Sequence, residues 1–197
     1  MNLPNRLTLV RIVMIPLIVL IVLFPFAQFN IYIGHFSIEH IDLSFRNVVI
    51  LVLFCIASFT DFLDGYIARK HNLVTSLGKF LDQIADKLLV NTMFILFAWQ
   101  GIIPVVAVLV MLWRDTAVDA IRMIASQKGR VMAAGYLGKV KTVAQMVTII
   151  LILLNNLPFE LYSLPVSDLM VWFSTFISLI SGISYFLQAK DILLETK

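Results

Sequence analysis

The sequence predicts an all-α membrane protein in which six transmembrane helices surround a polar cavity open to the cytosol. Three observations carry that prediction. Of the 197 residues, 60% are hydrophobic and only 14% charged, whereas soluble domains hold nearer half and a quarter. Six long apolar runs are separated by polar segments, each run close to the ~20 residues that a helix needs to cross a bilayer core. In four of the runs the ionisable residues gather in the same half. One leaflet of the bundle is therefore polar inside and the other is not.

Taken in order, the first run predicts a helix over 6–28. Its apolar stretch from Leu7 to Ala27 lacks a small-residue cleavage site, so it is expected to be a retained helix rather than a signal peptide. A longer loop is expected over 29–45. The second span, 46–69, is apolar from Val48 to Phe59 and then reads Thr60-Asp61-Phe62-Leu63-Asp64-Gly65. After a turn at 70–77, the third span, 78–99, carries Lys79, Asp82, Asp86 and Lys87 before becoming mostly apolar from Leu88 to Trp99. The fourth, 103–125, is apolar to Trp113 and then shows Arg114, Asp115, Asp119 and Arg122. The fifth, 137–156, opens on Lys139 and Lys141, and the sixth, 167–189, follows a link containing Pro158 and Pro165. With no internal repeat, the chain reads as a single transmembrane domain over 1–197.

Orientation follows from the basic residues, which favour the cytosolic side. With a cytosolic N-terminus and six spans, every one of the 15 Lys and Arg residues except Arg46 falls on the cytosolic side or in the inner half of a span. Both termini are then cytosolic. The basic residues are divided among apolar spans instead of lining one soluble face, which argues against a nucleic-acid partner. The single cysteine, Cys55, cannot form an internal disulfide.

Asp61 and Asp64 are three residues apart and Asp82 and Asp86 four apart, so each pair shares a helix face. A carboxylate within a span costs ~3 kcal/mol on insertion scales, and four uncompensated ones would cost ~12 kcal/mol. That cost rules out a plain helical scaffold and calls for cations. Oxygen donors without neighbouring cysteine or clustered histidine favour hard ions, Mg²⁺ or Mn²⁺. Four carboxylates could hold two such divalent ions, which suits displacement at a diphosphate. Gly65 lies one turn after Asp61 and Gly78 one turn before Asp82, leaving room for a nucleotide or diphosphate to approach the backbone. Arg69 presents a fork of donors that matches phosphate oxygens.

These residues carry a family resemblance. The string Asp61-x-x-Asp64-Gly65-x-x-Ala68-Arg69, eight residues, then Gly78-x-x-x-Asp82-x-x-x-Asp86 resembles the full signature of the CDP-alcohol phosphotransferases. The resemblance implies a six-helix, homodimeric bacterial membrane enzyme with a metal pair at an inner-leaflet active site. It implies that Asp61, Asp64, Asp82 and Asp86 are metal ligands, with Asp86 also the general base. Gly65, Arg69, Thr75 and Gly78 would contact the CDP moiety together with Asp61, and Asn5 and Thr8 would help cover it. The opening Asn2-Leu3-Pro4-Asn5-Arg6-Leu7-Thr8-x-x-Arg11 is similar to one branch of that family. So are Arg114-Asp115 and the segment Gly138-Lys139-Val140-Lys141-Thr142 followed by Gln145. In that branch CDP-diacylglycerol donates its phosphatidyl group to sn-glycerol 3-phosphate, giving phosphatidylglycerophosphate and CMP. Arg114, Lys139 and Lys141, with Arg122 in a lesser part, would bind the acceptor phosphate.

Two competing readings remain at this point. Within the family the acceptor could be an inositol phosphate, serine or a phospholipid. From another class, the aspartates could line a divalent-cation transporter, although the largely apolar outer halves of the spans offer no continuous polar path. The lone loop histidine His71 reads as solvated, and Trp99 and Trp113 read as packing or interfacial anchors.

Overall fold

The computed structural model describes residues 3–39, 41–71, 75–130, 132 and 135–194. Among these, the chain is built from six long helices: α1 (Leu3–Leu23), α2 (Phe45–Lys70), α3 (Ser76–Trp99), α4 (Val105–Gln127), α5 (Tyr136–Leu153) and α6 (Val166–Leu194). Four stretches are long and apolar enough to cross a membrane: Pro4–Leu23, Phe45–Ala68, Tyr136–Leu153 and Val166–Asp191. α3 and α4 have 24 and 23 residues, about 35 Å at 1.5 Å per residue. Length therefore suffices in both, but the charged residues Lys79 to Lys87 and Arg114 to Arg122 dilute the apolar signal. Many large hydrophobic side chains are left exposed, among them Val13, Leu20, Phe59, Trp113 and Phe176, as lipid-facing surface requires.

The helix ends have local causes. α1 stops at Leu23, earlier than residue 28, because Pro25 follows and a short 3₁₀ turn runs over Phe26–Phe29. α5 stops at Leu153, where Asn155 and Asn156 take left-handed backbone conformations with φ of 52° and 61°. The expected loop over 29–45 is corrected in part: it holds an antiparallel hairpin, β1 (His35–Ile38) and β2 (Ile41–Ser44), in register His35 with Ser44 and Ile38 with Ile41. Glu39, at the tip, has φ of 54°. A two-residue hairpin loop needs such a conformation, and Glu-His in place of Asn-Gly gives no sequence signal for it. The hairpin is tied down at its base, where the Phe45 N–H donates to the Gly34 carbonyl over 2.9 Å. Asn155 Nδ2 also donates to the Asp42 carbonyl over 2.7 Å.

The chain divides into two compact units, Met1–Leu96 with Ile150–Leu164, and Phe97–Ile149 with Pro165–Lys197. In the first, α1 packs on α2, and Ile15, Ile18, Ile50, Phe54 and Ala57 are buried. In the second, α4 packs on α6. There α6 turns inward a face of small polar residues, Ser174, Ser178 and Ser181, each 0% exposed. Small residues let helix backbones approach closely in a membrane, where no hydrophobic force drives association. Thr148 of α5 meets that face through a 2.9 Å contact between its hydroxyl and that of Ser174.

Candidate active site

In the first unit, α1, α2 and α3 bring their polar residues together. Asp61, Asp64 and Asp82 each offer a carboxylate oxygen, and these oxygens lie within 4.8 Å of one another. Helix periodicity explains the arrangement: Asp61 and Asp64 share a face of α2, and Asp82 lies nearly two turns into α3. Asp64 is buried, with a side chain 3% exposed, while Asp61 and Asp82 are 32% and 46% exposed. The cluster therefore has a closed floor and an open rim. Asp86 follows Asp82 by one turn, is half-buried, and is close enough to Asp61 to repel it, but the gathered oxygens come from the other three.

Sequence reading missed the cation at the centre. The fully buried Arg11 guanidinium donates to Asp61 over 2.5 Å, to Asp64 over 2.7 Å and to Asp82 over 3.2 Å. From α1 it thus binds both helices that supply the carboxylates. The signal available was positional: Asn5, Thr8 and Arg11 recur every three residues and form one polar, buried stripe on an otherwise apolar helix. Thr8 belongs to the same network, its hydroxyl donating to Asp64 over 3.1 Å.

Beside the carboxylates, three expected CDP-binding residues converge. Thr75 immediately precedes α3 and caps it, its hydroxyl accepting from the Gly78 N–H over 3.0 Å. Asn5 Nδ2 donates to the same hydroxyl over 3.3 Å. A Cβ added to Gly78 would stand 2.6 Å from Asn5 Oδ1 and 2.9 Å from Thr75 Oγ1, so any larger residue there must displace those side chains. Gly65 lies in α2 directly after Asp64. Arg69 belongs to α2, but its side chain lies outside the described residues.

The second unit holds the expected basic residues, arranged around Asp115 and around an α6 face that the sequence did not flag. The Asp115 carboxylate accepts from Lys141 Nζ over 2.5 and 2.7 Å and from Arg114 Nη1 over 2.8 Å. All three groups are at least nine-tenths buried. Arg114 also donates through Nε to the Ser178 carbonyl over 3.1 Å and through Nη2 to the Ser181 hydroxyl over 2.6 Å. Its stem lies so close to α6 that a Cβ on Gly182 would come within 2.8 Å of Arg114 Cγ. Arg122 donates to the Tyr185 hydroxyl over 2.6 Å. Lys139, by contrast, is exposed.

The carboxylate cluster is an all-oxygen donor set of the kind that holds a hard divalent ion, so the residues present fit one. Chemically, the first unit offers a cation site, and the second offers a buried cluster of cations with one excess positive charge among Arg114, Asp115 and Lys141. The first suits a diphosphate with its ion, and the second suits an anion.

Comparison with known proteins agrees with that chemistry. The family model described as CDP-alcohol phosphatidyltransferase matches residues 1–180. A Bacillus subtilis (strain 168) protein named CDP-diacylglycerol–glycerol-3-phosphate 3-phosphatidyltransferase is 45% identical over 185 residues, covering 94% of this chain and 93% of the relative. A Rickettsia felis protein of the same name is 35% identical over 190 residues, covering 96% of each chain. A Salmonella choleraesuis protein, again so named, is 34% identical over 155 residues, 75% of this chain and 74% of its own.

Proposed function

The chain belongs to the CDP-alcohol phosphatidyltransferase family, and on that premise we propose that it transfers the phosphatidyl group of CDP-diacylglycerol to sn-glycerol 3-phosphate. The products are phosphatidylglycerophosphate and CMP. The observation that carries the donor half is the convergence of Asp61, Asp64 and Asp82 on one cluster of carboxylate oxygens, in the unit that also holds Asn5 and Gly78. The acceptor half is supported by the buried cations of the second unit and by the names of relatives that match nearly the whole chain. The bacterial relatives and the apolar helices make it a bacterial membrane protein.

The carboxylates of Asp61, Asp64, Asp82 and Asp86 would hold two divalent ions, Mg²⁺ or Mn²⁺. When bound, such ions supply neutralisation of the diphosphate and stabilisation of the leaving CMP. Gly78, Gly65, Asn5, Thr8 and Thr75 cradle the CDP moiety, and Arg69 contacts its phosphate oxygens. Asp86 takes the proton from the 1-hydroxyl of the acceptor. That oxygen attacks the β-phosphorus, forming the new phosphodiester bond as the bond to the CMP oxygen breaks. Arg114, Lys141, Arg122 and Lys139 bind the acceptor's phosphate.

Six spans with both termini in the cytosol, and a cavity opening on that side, follow from the charge pattern: every Lys and Arg but Arg46 is inward. A single catalytic domain over 1–197 is supported by a family match covering residues 1–180. A homodimer is carried over from the family resemblance.

The test is an acceptor panel. Purified protein in micelles receives CDP-diacylglycerol, Mg²⁺ and, in turn, glycerol 3-phosphate, inositol phosphate, serine or phosphatidylglycerol. CMP release selective for glycerol 3-phosphate is expected. Release with another acceptor but not with glycerol 3-phosphate would overturn the assignment.

A further inference from the structure

The α6 face that receives the arginines of α4 carries no residue that the signature or the charge pattern points to. Ser178, Ser181, Gly182 and Tyr185 recur at helical spacing on α6, and each touches or makes room for an arginine or its surroundings. Tyr185 does the most. It is 3% exposed, and its hydroxyl accepts from Arg122 Nη2 over 2.6 Å and from the Gly135 N–H over 3.0 Å. Its ring lies against both guanidiniums, with their central carbons 4.9 Å (Arg122) and 5.7 Å (Arg114) from the ring centroid. One side chain therefore joins α6, α4 and the segment entering α5.

We infer that Tyr185 is a positioning residue that shapes the acceptor-phosphate site through Arg122 and Arg114. Two like charges beside one another repel, and the negative face of an aromatic ring lowers the cost of holding both. The hydroxyl supplies what the ring cannot, which is direction. Arg122 Nε is buried with no partner among the described residues, so the bond to Tyr185 orients that guanidinium. The Gly135 N–H donates to the same hydroxyl over 3.0 Å and holds it in place for Arg122. This makes Arg122 a nearer partner of Arg114 than its position two turns along α4 indicates, and it places Arg122 above the exposed Lys139 as an acceptor-binding group. The inference rests on the reading that these arginines bind the acceptor's phosphate.

Tyr185→Phe removes the hydroxyl and keeps the ring. It should raise the KM for glycerol 3-phosphate about tenfold, equivalent to about 1.4 kcal/mol, with the KM for CDP-diacylglycerol and the unfolding midpoint nearly unchanged. A merely structural role would move both KM values together or neither. Because the tyrosine acts through Arg122, the double variant Tyr185→Phe/Arg122→Gln should show the same KM for glycerol 3-phosphate as Arg122→Gln alone. An unchanged KM in Tyr185→Phe, while Arg122→Gln raises it, overturns the inference and leaves the acceptor reading intact. So do penalties that multiply in the double variant. If neither Arg122→Gln nor Arg114→Ala raises that KM, the acceptor reading itself falls, and the inference with it.

Discussion

Replacing Arg11 by Met tests whether the carboxylate cluster depends on its buried guanidinium. Methionine keeps much of the length and apolar volume and removes the charge and all three hydrogen bonds. Asp64, with a side chain only 3% exposed, is then left as a buried carboxylate without its cation, a loss that costs about 3–5 kcal/mol. Asp61 and Asp82, at 32% and 46% exposed, regain solvation from water and add little. The expected destabilisation is therefore about 3–5 kcal/mol in total, not three times that figure. A divalent ion on the same oxygens replaces the missing charge, so binding should stabilise the variant more than the wild type. The assay is a denaturant titration in mixed micelles followed by circular dichroism, once with EDTA and once with saturating Mn²⁺. The variant should lose most of its deficit when the ion is present. Equal stability of the two proteins in EDTA, or equal stabilisation of both by Mn²⁺, would mean that the cluster does not depend on the Arg11 guanidinium.

Three further outcomes are expected. Asp61→Asn should reduce CMP release at least about 100-fold, the scale of losing an electrostatic contact to the reacting group, and should also abolish stabilisation by Mn²⁺ while the protein still inserts; near-normal turnover would contradict the assigned role. Gly78→Ala forces the Asn5 side chain off its place 2.6 Å from the new Cβ; at about 0.5–1.5 kcal/mol for a displaced rotamer, the KM for CDP-diacylglycerol should rise and that for glycerol 3-phosphate should not. Asp115→Ala takes the carboxylate from the buried Lys141 and Arg114 and should cost about 3–5 kcal/mol in the same denaturant titration, whereas the double variant with Lys141→Met, which leaves one fewer unpaired cation, should be the more stable of the two.

What could be read from the sequence was whatever repeats at a helical period or breaks an apolar run. The aspartates satisfied both conditions, so Asp61, Asp64 and Asp82 were legible as a cluster before any coordinates. Arg11 was not, because a single arginine near the cytosolic end of a first span is what membrane topology already demands. Its burial and its three partners lie 50 to 71 residues away in the chain, beyond the reach of local pattern. The α6 wall was hidden for a different reason. Serine and glycine at helical spacing in an apolar span read as packing residues, and a tyrosine there reads as an interfacial anchor; only the long arginine stems of α4 show what the face is for. Asp115 illustrates the same limit, since adjacency to Arg114 was visible but the bond to Lys141 was not. The hairpin at His35–Ser44 was illegible because each strand has four residues, too few for alternation to stand out.

The proposed function requires direct transfer of the phosphatidyl group from the CDP-linked lipid to the 1-hydroxyl of glycerol 3-phosphate. The most direct measurement follows labelled glycerol 3-phosphate into the lipid fraction while counting CMP in the same reaction. One labelled phosphatidylglycerophosphate per CMP is expected, with both signals absent in Asp86→Asn. CMP released without label entering the lipid, or label entering without CMP, would contradict it.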